Sequence, residues 1–424
     1  MKMQTGTGAR GMALHALYWI VLVLAIAPLV YYFLSLYCVI AYFRELHNLP
    51  LLEGSLTPPA SILKPVRGVD HEAYDNFASF CRLDYPEYEI VFAVASPDDP
   101  AVLVIERLQK DFPHCAIRLV RDVARLGTNG KVNSLCRLVQ EAKYEFLVMS
   151  DSDVRVDADY LRVAAEPFAD SRVGAATAFY RCITGGGIAA DLDALGMCAD
   201  SAPGALVARW LEGKMKFAYG WTMATTKKHL AEIGGWEAMA SRYPEDFELG
   251  NRMAQSGYRV ALMRKPVDMV LPQESLQELL KHELRWSISL RNMRPAGYRS
   301  MALTHGLPWA VLVGIIVARA GWLPAISIAY FGTYLALRLG VAWCTGVWGL
   351  RDGQVLGKLW LVPLRDAISF GVWVGGFLCN TITWRGLSYR MKNGQLFPIP
   401  NAILRTESTA HSVNGSMASS ENIS

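Results

Sequence analysis

Long apolar runs at both ends of this 424-residue chain limit its folds more than any other feature. From Ala16 to Phe43 the chain is almost wholly apolar, with no charge before Arg44. That exceeds the roughly 20 residues a helix needs to cross a bilayer. A cleaved signal sequence is the alternative, since Lys2 and Arg10 precede the run. The run is too long for a signal core, and no small-residue cleavage site closes it. An uncleaved anchor is therefore expected over 16–43, after a polar segment 1–15. The apolar character returns over 303–384, broken at Gly321-Trp-Leu-Pro324. Two spans fit Leu307–Val347. A third, Leu359–Trp384, contains Arg365-Asp366, and such charges mark either function or an interfacial position. Two or three C-terminal helices are expected.

Between these runs the pattern changes. After a Pro-containing linker (44–60), short apolar strands alternate with amphipathic helices. Strands are expected at Ser61–Pro65, Tyr88–Ala95, Ala116–Val120 and Glu145–Ser150, with helices at Ala101–Asp111 and Lys131–Lys143. This alternation indicates an α/β domain with a mostly parallel, doubly wound sheet over about 61–300. A further strand is expected at Val173–Phe179, a long helical stretch from Gly185 to about Trp210, a helix opening at Pro244, a last strand at Tyr258–Leu262 and a helix over Ser275–Asn292. Beyond 385 a basic segment should give way to a disordered tail from Thr406, where Ser, Asn, Thr and Ala dominate.

Composition sets boundaries on function. A net charge of +4 without a long basic run argues against nucleic acid. Eight scattered cysteines contain no C-x-x-C pair, so neither a zinc site nor a disulfide framework is implied. Arg44, Lys64 and Arg67 after the first run, and Arg385, Arg390 and Lys392 after the last, place the middle domain on the cytoplasmic side. An even number of spans beyond residue 300 would satisfy both groups.

Candidate chemistry begins at Phe146-Leu-Val-Met-Ser-Asp-Ser-Asp153, where a buried strand runs into two carboxylates. In open α/β sheets ligands bind at that edge. If the strand breaks at Ser152, Asp151 and Asp153 can address one site, and such oxygen ligands suit Mg²⁺ or Mn²⁺ against substrate phosphates. An acidic surface turn is the plainer alternative. Asp98-Asp99 ends the second strand. Glu245-Asp246 opens a helix, where it would equally suit the positive helix end. Arg285-Trp286 is a basic-aromatic pair, which would also suit a surface contact.

The order of these motifs, with Lys64-Pro-Val-Arg-Gly-Val-Asp70, Leu83-Asp-Tyr-Pro86, Asp98-Asp-Pro100, Gly130-Lys-Val-Asn133 and Gly234-Gly235, resembles family 2-type glycosyltransferases of the nucleotide-sugar-binding (GT-A) fold. It is most similar to the ceramide glucosyltransferase family and its bacterial hopanoid relatives. The stretch from His282-Glu-Leu-Arg-Trp-Ser to Arg294-Pro-Ala-Gly-Tyr298 looks most like the hopanoid branch. The resemblance implies a membrane-embedded, multi-pass, inverting enzyme acting at the cytoplasmic face of a bacterial inner membrane. It would move a hexosyl unit, with N-acetylglucosamine favoured, from a UDP-sugar to a lipid hydroxyl, with bacteriohopanetetrol the favoured acceptor. Glucose transfer to ceramide is the close alternative, and a processive polysaccharide synthase is a third. The resemblance also implies roles: Asp151 and Asp153 for the metal, Asp98 or Asp99 for uracil or ribose, Lys131, Asn133 and Asp151 for the nucleotide-sugar, Asp246 as base, Arg285 for diphosphate charge, and Trp286 under the sugar or acceptor. His282 departs from the family, which usually has Gln or Arg there. Ser96 stands where the ceramide enzymes can be acidic.

Overall fold

The computed structural model describes residues 5–49, 56–384 and 386–399. The expected tail from Thr406, and Lys2, Arg385 and the 50–55 part of the linker, lie outside the described residues.

The chain opens with helices α1 (Thr5–Leu24) and α2 (Ile26–His47), separated only at Ala25. The alternating region follows as β1 (Ala60–Val66), α3 (Ala73–Phe80), β2 (Tyr88–Val94), α4 (Ala101–Asp111), β3 (Ile117–Val120), α5 (Gly130–Glu141) and β4 (Phe146–Ser150). Then come β5 (Val154–Arg155), α6 (Tyr160–Ala165), β6 (Val173–Thr177), β7 (Tyr180–Thr184), α7 (Ile188–Gly196), a π-turn at Met197–Ser201, and α8 (Ala202–Glu212). The domain continues through β8 (Thr222–Thr226), α9 (Lys227–Glu232), α10 (Glu245–Gln255), β9 (Arg259–Leu262), β10 (Val267–Leu271) and α11 (Leu276–Met293). The C-terminal part holds α12 (Pro295–Ser300), α13 (Gly306–Ala320), α14 (Pro324–Trp343), α15 (Val362–Leu378), and strands β11 (Thr381–Trp384), β12 (Leu387–Lys392) and β13 (Gln395–Pro398).

The main sheet has the order β3-β2-β1-β4-β8-β6-β9. Strands β3, β2, β1 and β4 pair in parallel, β8 is antiparallel to both β4 and β6, and β9 pairs parallel to β6. The α/β reading from strand–helix alternation is thus correct, with β8 as the reversed strand. All five residues of β4 are buried, which is why it reads as an unbroken apolar run. The C-terminal ends of β1, β2, β3 and β4 form one edge. The loops leaving it carry Asp70, Asp98-Asp99, the 121–129 segment and Asp151–Asp153.

Three expectations need correction. Tyr258–Leu262 is not the last strand, because β10 follows and joins β5 and β7 in a second sheet. Its Val270 N–H donates to the Asp153 carbonyl at 2.9 Å, so β10 fixes the acidic turn from behind. The short spacing between β9 and β10 hid it. Residues beyond 385 do not run straight into disorder, since 387–398 forms β12 and β13, joined by a turn with positive φ at Asn393 and Gly394. The third apolar stretch also ends earlier than Trp384, with α15 stopping at Leu378.

Among the described residues, four helical segments are long and apolar enough to cross a membrane: Gly11–His47, Pro295–Ala320, Pro324–Gly349 and Val355–Leu378. Helices α13 and α14 pack against each other and against α1 and α2 as a hairpin turned at Gly321. Helix α15 differs. It runs along α11 in the same direction, with Arg365 on Glu283, Val372 on Ser287 and Cys379 on Arg291. Both ends of α15 therefore meet the α/β unit.

Candidate active site

Lys131 is the centre of the site. Asn129 caps α5, its side-chain oxygen accepting the N–H groups of Lys131 and Val132. The Asn129 amide also donates to the Arg242 carbonyl at 2.8 Å and to Glu245 at 3.1 Å. This joins the start of α5 to the start of α10. From there the Lys131 ammonium meets Asp151 at 2.6 Å, Glu245 at 3.0 Å and the Gly220 carbonyl at 3.2 Å. Burial opposes its charge, but Asp151 and Glu245 outweigh that and raise its pKa.

The two adjacent carboxylates that open α10, Glu245 and Asp246, are driven apart. Burial works against Glu245, yet Lys131 and Asn129 hold it below the ordinary range. Burial, and then the charge of Glu245, push Asp246 up to about 7. Gly220 lies against this pair, and a Cβ there would sit 3.0 Å from Asp246 Oδ2 and 3.4 Å from Lys131 Nζ.

The acidic turn is held on three sides. Strand β4 ends at Ser150, and the chain turns at Ser152 as the strand-break condition required. The Asp151 N–H donates to the Trp221 carbonyl at 3.1 Å. Buried Lys64 donates to the Asp151 carbonyl at 2.9 Å, and Ser152 Oγ donates to Asp70. Burial, then Asp151 and Asp70, raise Asp153 to about 7. Asp153 Oδ1 is buried with no hydrogen-bond partner among the described residues. This orphaned oxygen fits a cation. Among the described residues no cluster of three or more His, Cys, Asp or Glu could hold one alone. Two carboxylates plus substrate phosphates are a usual environment for Mg²⁺.

Arg285 bonds the Tyr243 hydroxyl, two residues before Glu245. Tyr243 packs on Trp384 at 5.1 Å, and its N–H donates to the Gly394 carbonyl in the β12–β13 turn at 2.9 Å. The Trp286 indole donates to His282 Nε2 at 2.7 Å.

Asp246, Asp151 and Lys131 thus meet at one edge, with Asp153 in the same turn as Asp151. Arg285 is joined to the start of α10 through Tyr243, and Trp286 stands beside Arg285, exposed on α11. Two expected donor residues are engaged elsewhere. Asn133 accepts the Leu126 and Gly127 N–H groups and donates to the Gly127 carbonyl, shaping the loop after β3. Asp99 accepts from Gly68 and Ala101 N–H, joining the loops after β1 and β2. Asp98 is exposed and is the member of that pair left facing outward. Sequence reasoning missed Tyr243, Glu245's separate position, Asp70 and Gly220, which gain meaning only from contacts far along the chain.

A mostly parallel sheet with carboxylates at its C-terminal edge, and a buried carboxylate on a facing helix, is the arrangement of a glycosyltransferase of the GT-A class. A mannosyltransferase from Pyrobaculum calidifontis, solved with GDP-mannose and Mn²⁺, shares this fold, with a TM-score of 0.52 and 18% identity over 84% of this chain and 99% of that one. Residues 20–397 match glycosyl transferase family 21, and the chain belongs to that family. Its relatives include ceramide glucosyltransferase 3 of Caenorhabditis elegans, 26% identical over 82% of this chain and 76% of the relative. Ceramide glucosyltransferase 1 of the same organism is 23% identical over 84% of this chain and 77% of the relative. The protein is a glycosyltransferase that uses a nucleotide-sugar.

Proposed function

We propose that this enzyme transfers one hexosyl unit from a UDP-sugar to a hydroxyl of a membrane lipid, with inversion. The observation that carries the reading is the buried Asp246 beside Lys131 and Asp151, in a unit packed directly on apolar helices. Asp246 takes the acceptor proton as the hydroxyl attacks the anomeric carbon. A carboxylate raised to about 7 is well matched to that proton transfer near neutral pH. Lys131 keeps Glu245 charged, and Glu245 in turn keeps Asp246 basic. Arg285, oriented by Tyr243, faces the charge that develops on the departing diphosphate. Trp286 packs under the sugar or acceptor, and Asp98 contacts uracil or ribose. Asp151 and Asp153 would hold Mg²⁺ or Mn²⁺, which supplies Lewis-acid neutralisation of the diphosphate. The Mn²⁺ bound by the structurally similar mannosyltransferase supports a divalent ion here.

Membrane placement belongs to the same proposal. The segment Gly11–His47 and the α13–α14 hairpin span the bilayer, with the catalytic unit on the cytoplasmic side. Helix α15 lies in the interface. Were it to cross, α11 would cross with it, carrying Lys281, Glu283, Arg285 and Arg291 into hydrocarbon. Two spans after residue 300 bring both basic groups to one side. Anchoring raises the local concentration of a lipid acceptor.

The favoured pair is N-acetylglucosamine and bacteriohopanetetrol, on the motif from His282 to Tyr298. Glucose and ceramide form the second reading, which the ceramide glucosyltransferase relatives favour. Membranes carrying the enzyme are given UDP-glucose or UDP-N-acetylglucosamine, Mg²⁺ or Mn²⁺, and either lipid. Mass spectrometry should show one N-acetylhexosamine on the hopanoid. One hexose on ceramide selects the second reading, and a water-soluble polymer instead would overturn both in favour of a polysaccharide synthase.

A further inference from the structure

Asp193 has no place in the chemistry above. It lies on α7, is 7% exposed, and makes no hydrogen bond through its carboxylate among the described residues. A buried carboxylate without a partner is costly to maintain. Its nearest cation-forming neighbour is His282 Nδ1 on α11, at 3.8 Å. That gap is too long for a hydrogen bond.

The His282 tautomer is fixed. Its Nε2 accepts the Trp286 indole N–H, so the ring proton lies on Nδ1 and faces Asp193. Burial and the nearby arginines hold His282 down at about 3, so the ring stays neutral. A donor and an acceptor are thus held apart across a short gap. One hydroxyl oxygen can lie about 2.8 Å from both, accepting from Nδ1–H and donating to the carboxylate.

A row of buried rings runs from the acidic turn toward α7. The Trp221 carbonyl accepts the Asp151 N–H, and Trp221 stacks on Tyr219 at 4.5 Å. Trp221 meets Tyr180 edge-on at 4.3 Å, and Tyr180 lies on β7, against which α7 packs. Exposed apolar side chains stand on α7 and on the segments packed against it: Ile188 of α7 itself, with Leu280, Trp360 and Leu364. A polar pair between an aromatic wall and an apolar rim suits the head of an amphiphile.

We propose that Asp193 and His282 clamp a second hydroxyl of the acceptor lipid, one that does not itself receive the sugar. This rests on the lipid-acceptor reading above. The clamp would orient the reacting hydroxyl toward Asp246 and select diols over mono-alcohols.

The test uses the full-length enzyme in nanodiscs with whichever lipid it glycosylates, ceramide against 3-deoxyceramide or bacteriohopanetetrol against a mono-hydroxylated hopanoid, as diol and mono-alcohol, each measured as kcat/KM for the acceptor and KM for the donor. The wild type should prefer the diol by about tenfold or more. Asp193→Leu should remove that preference, mainly through the diol. Asp193→Asn should keep most of it, because its amide oxygen still accepts from the hydroxyl. Should Asp193→Leu not assemble, Asp193→Ala decides in the same way. Equal losses on both acceptors would overturn the clamp while leaving lipid glycosylation intact. A rise in donor KM instead would assign the pair to a sugar hydroxyl and overturn it also. A wild type that glycosylates no lipid alcohol would overturn the function proposed above, and the clamp with it.

Discussion

Asp246 owes its basicity to its neighbours, so it should respond sharply to substitution and to pH. Asp246→Asn should lower kcat by about 10²- to 10⁴-fold, the usual worth of a positioned base, while the Tm of the protein stays near wild type. Its raised pKa means it is protonated and inactive in acid. The acceptor kcat/KM of the free enzyme should therefore rise with pH through about 7 and then level. A limb near 4 would refute the assignment. Gly220→Ala should also be damaging, because the new methyl meets Asp246 and Lys131 rather than open space. We expect a loss of at least tenfold in kcat in steady-state assays. At this scale the sequence was partly legible. Asp151 and Asp153 stand at a strand end, where pattern marks a ligand edge, whereas Asp246 at a helix start is singled out only by the resemblance. Asn133 and Asp99 are assigned to the nucleotide by the family resemblance, yet their partners are loop groups that no local pattern reveals. Asp193 sits inside an ordinary apolar helix and gave no signal.

Among the elements, strands β1 to β4 were legible because buried parallel strands are short apolar runs ending in polar turns. The β12–β13 hairpin carried a signal too: Asn393-Gly394 is the favoured pair for a tight two-residue turn. It was masked by the polar composition around it. The hairpin has a task in the site, since its turn receives the Tyr243 N–H and its cluster includes Tyr243, Ile288, Tyr389 and Leu396. Gly394 has φ of +72° and its Cβ would meet Met293 Sδ at 2.9 Å. Gly394→Val should destabilise by about 1–3 kcal/mol, read as a lowered Tm. It should also loosen Arg285, lowering kcat more than donor affinity.

For the whole molecule, a buried chain of charges joins the α13–α14 hairpin to α11. Arg338 of α14 meets Asp366 at 2.9 Å and Asp200 at 2.9 Å. Asp200 meets Arg365 at 3.0 Å, and Arg365 meets Glu283 of α11 at 2.6 Å. Arg365-Asp366, which had no role from sequence, are two links of this chain. Arg338 and Asp366 lie 28 residues apart, and the links to Asp200 and Glu283 join residues more than eighty apart, so only the fold could reveal them. Arg365→Met leaves Asp200 and Glu283 short of a cation and should cost about 3–5 kcal/mol, seen as a lower Tm in detergent and a poor yield of folded enzyme.

Helix α15 beneath α11 has one more implication. On the interfacial placement proposed above, the helix carrying Arg285 and Trp286 is fixed at one depth relative to the lipid headgroups. The site then works as a height gauge: it meets hydroxyls at the level where the lipid normally presents them. A sugar, once attached, lifts the next free hydroxyl outward past that level. Addition would stop at one unit because the product no longer reaches, without any separate device to count.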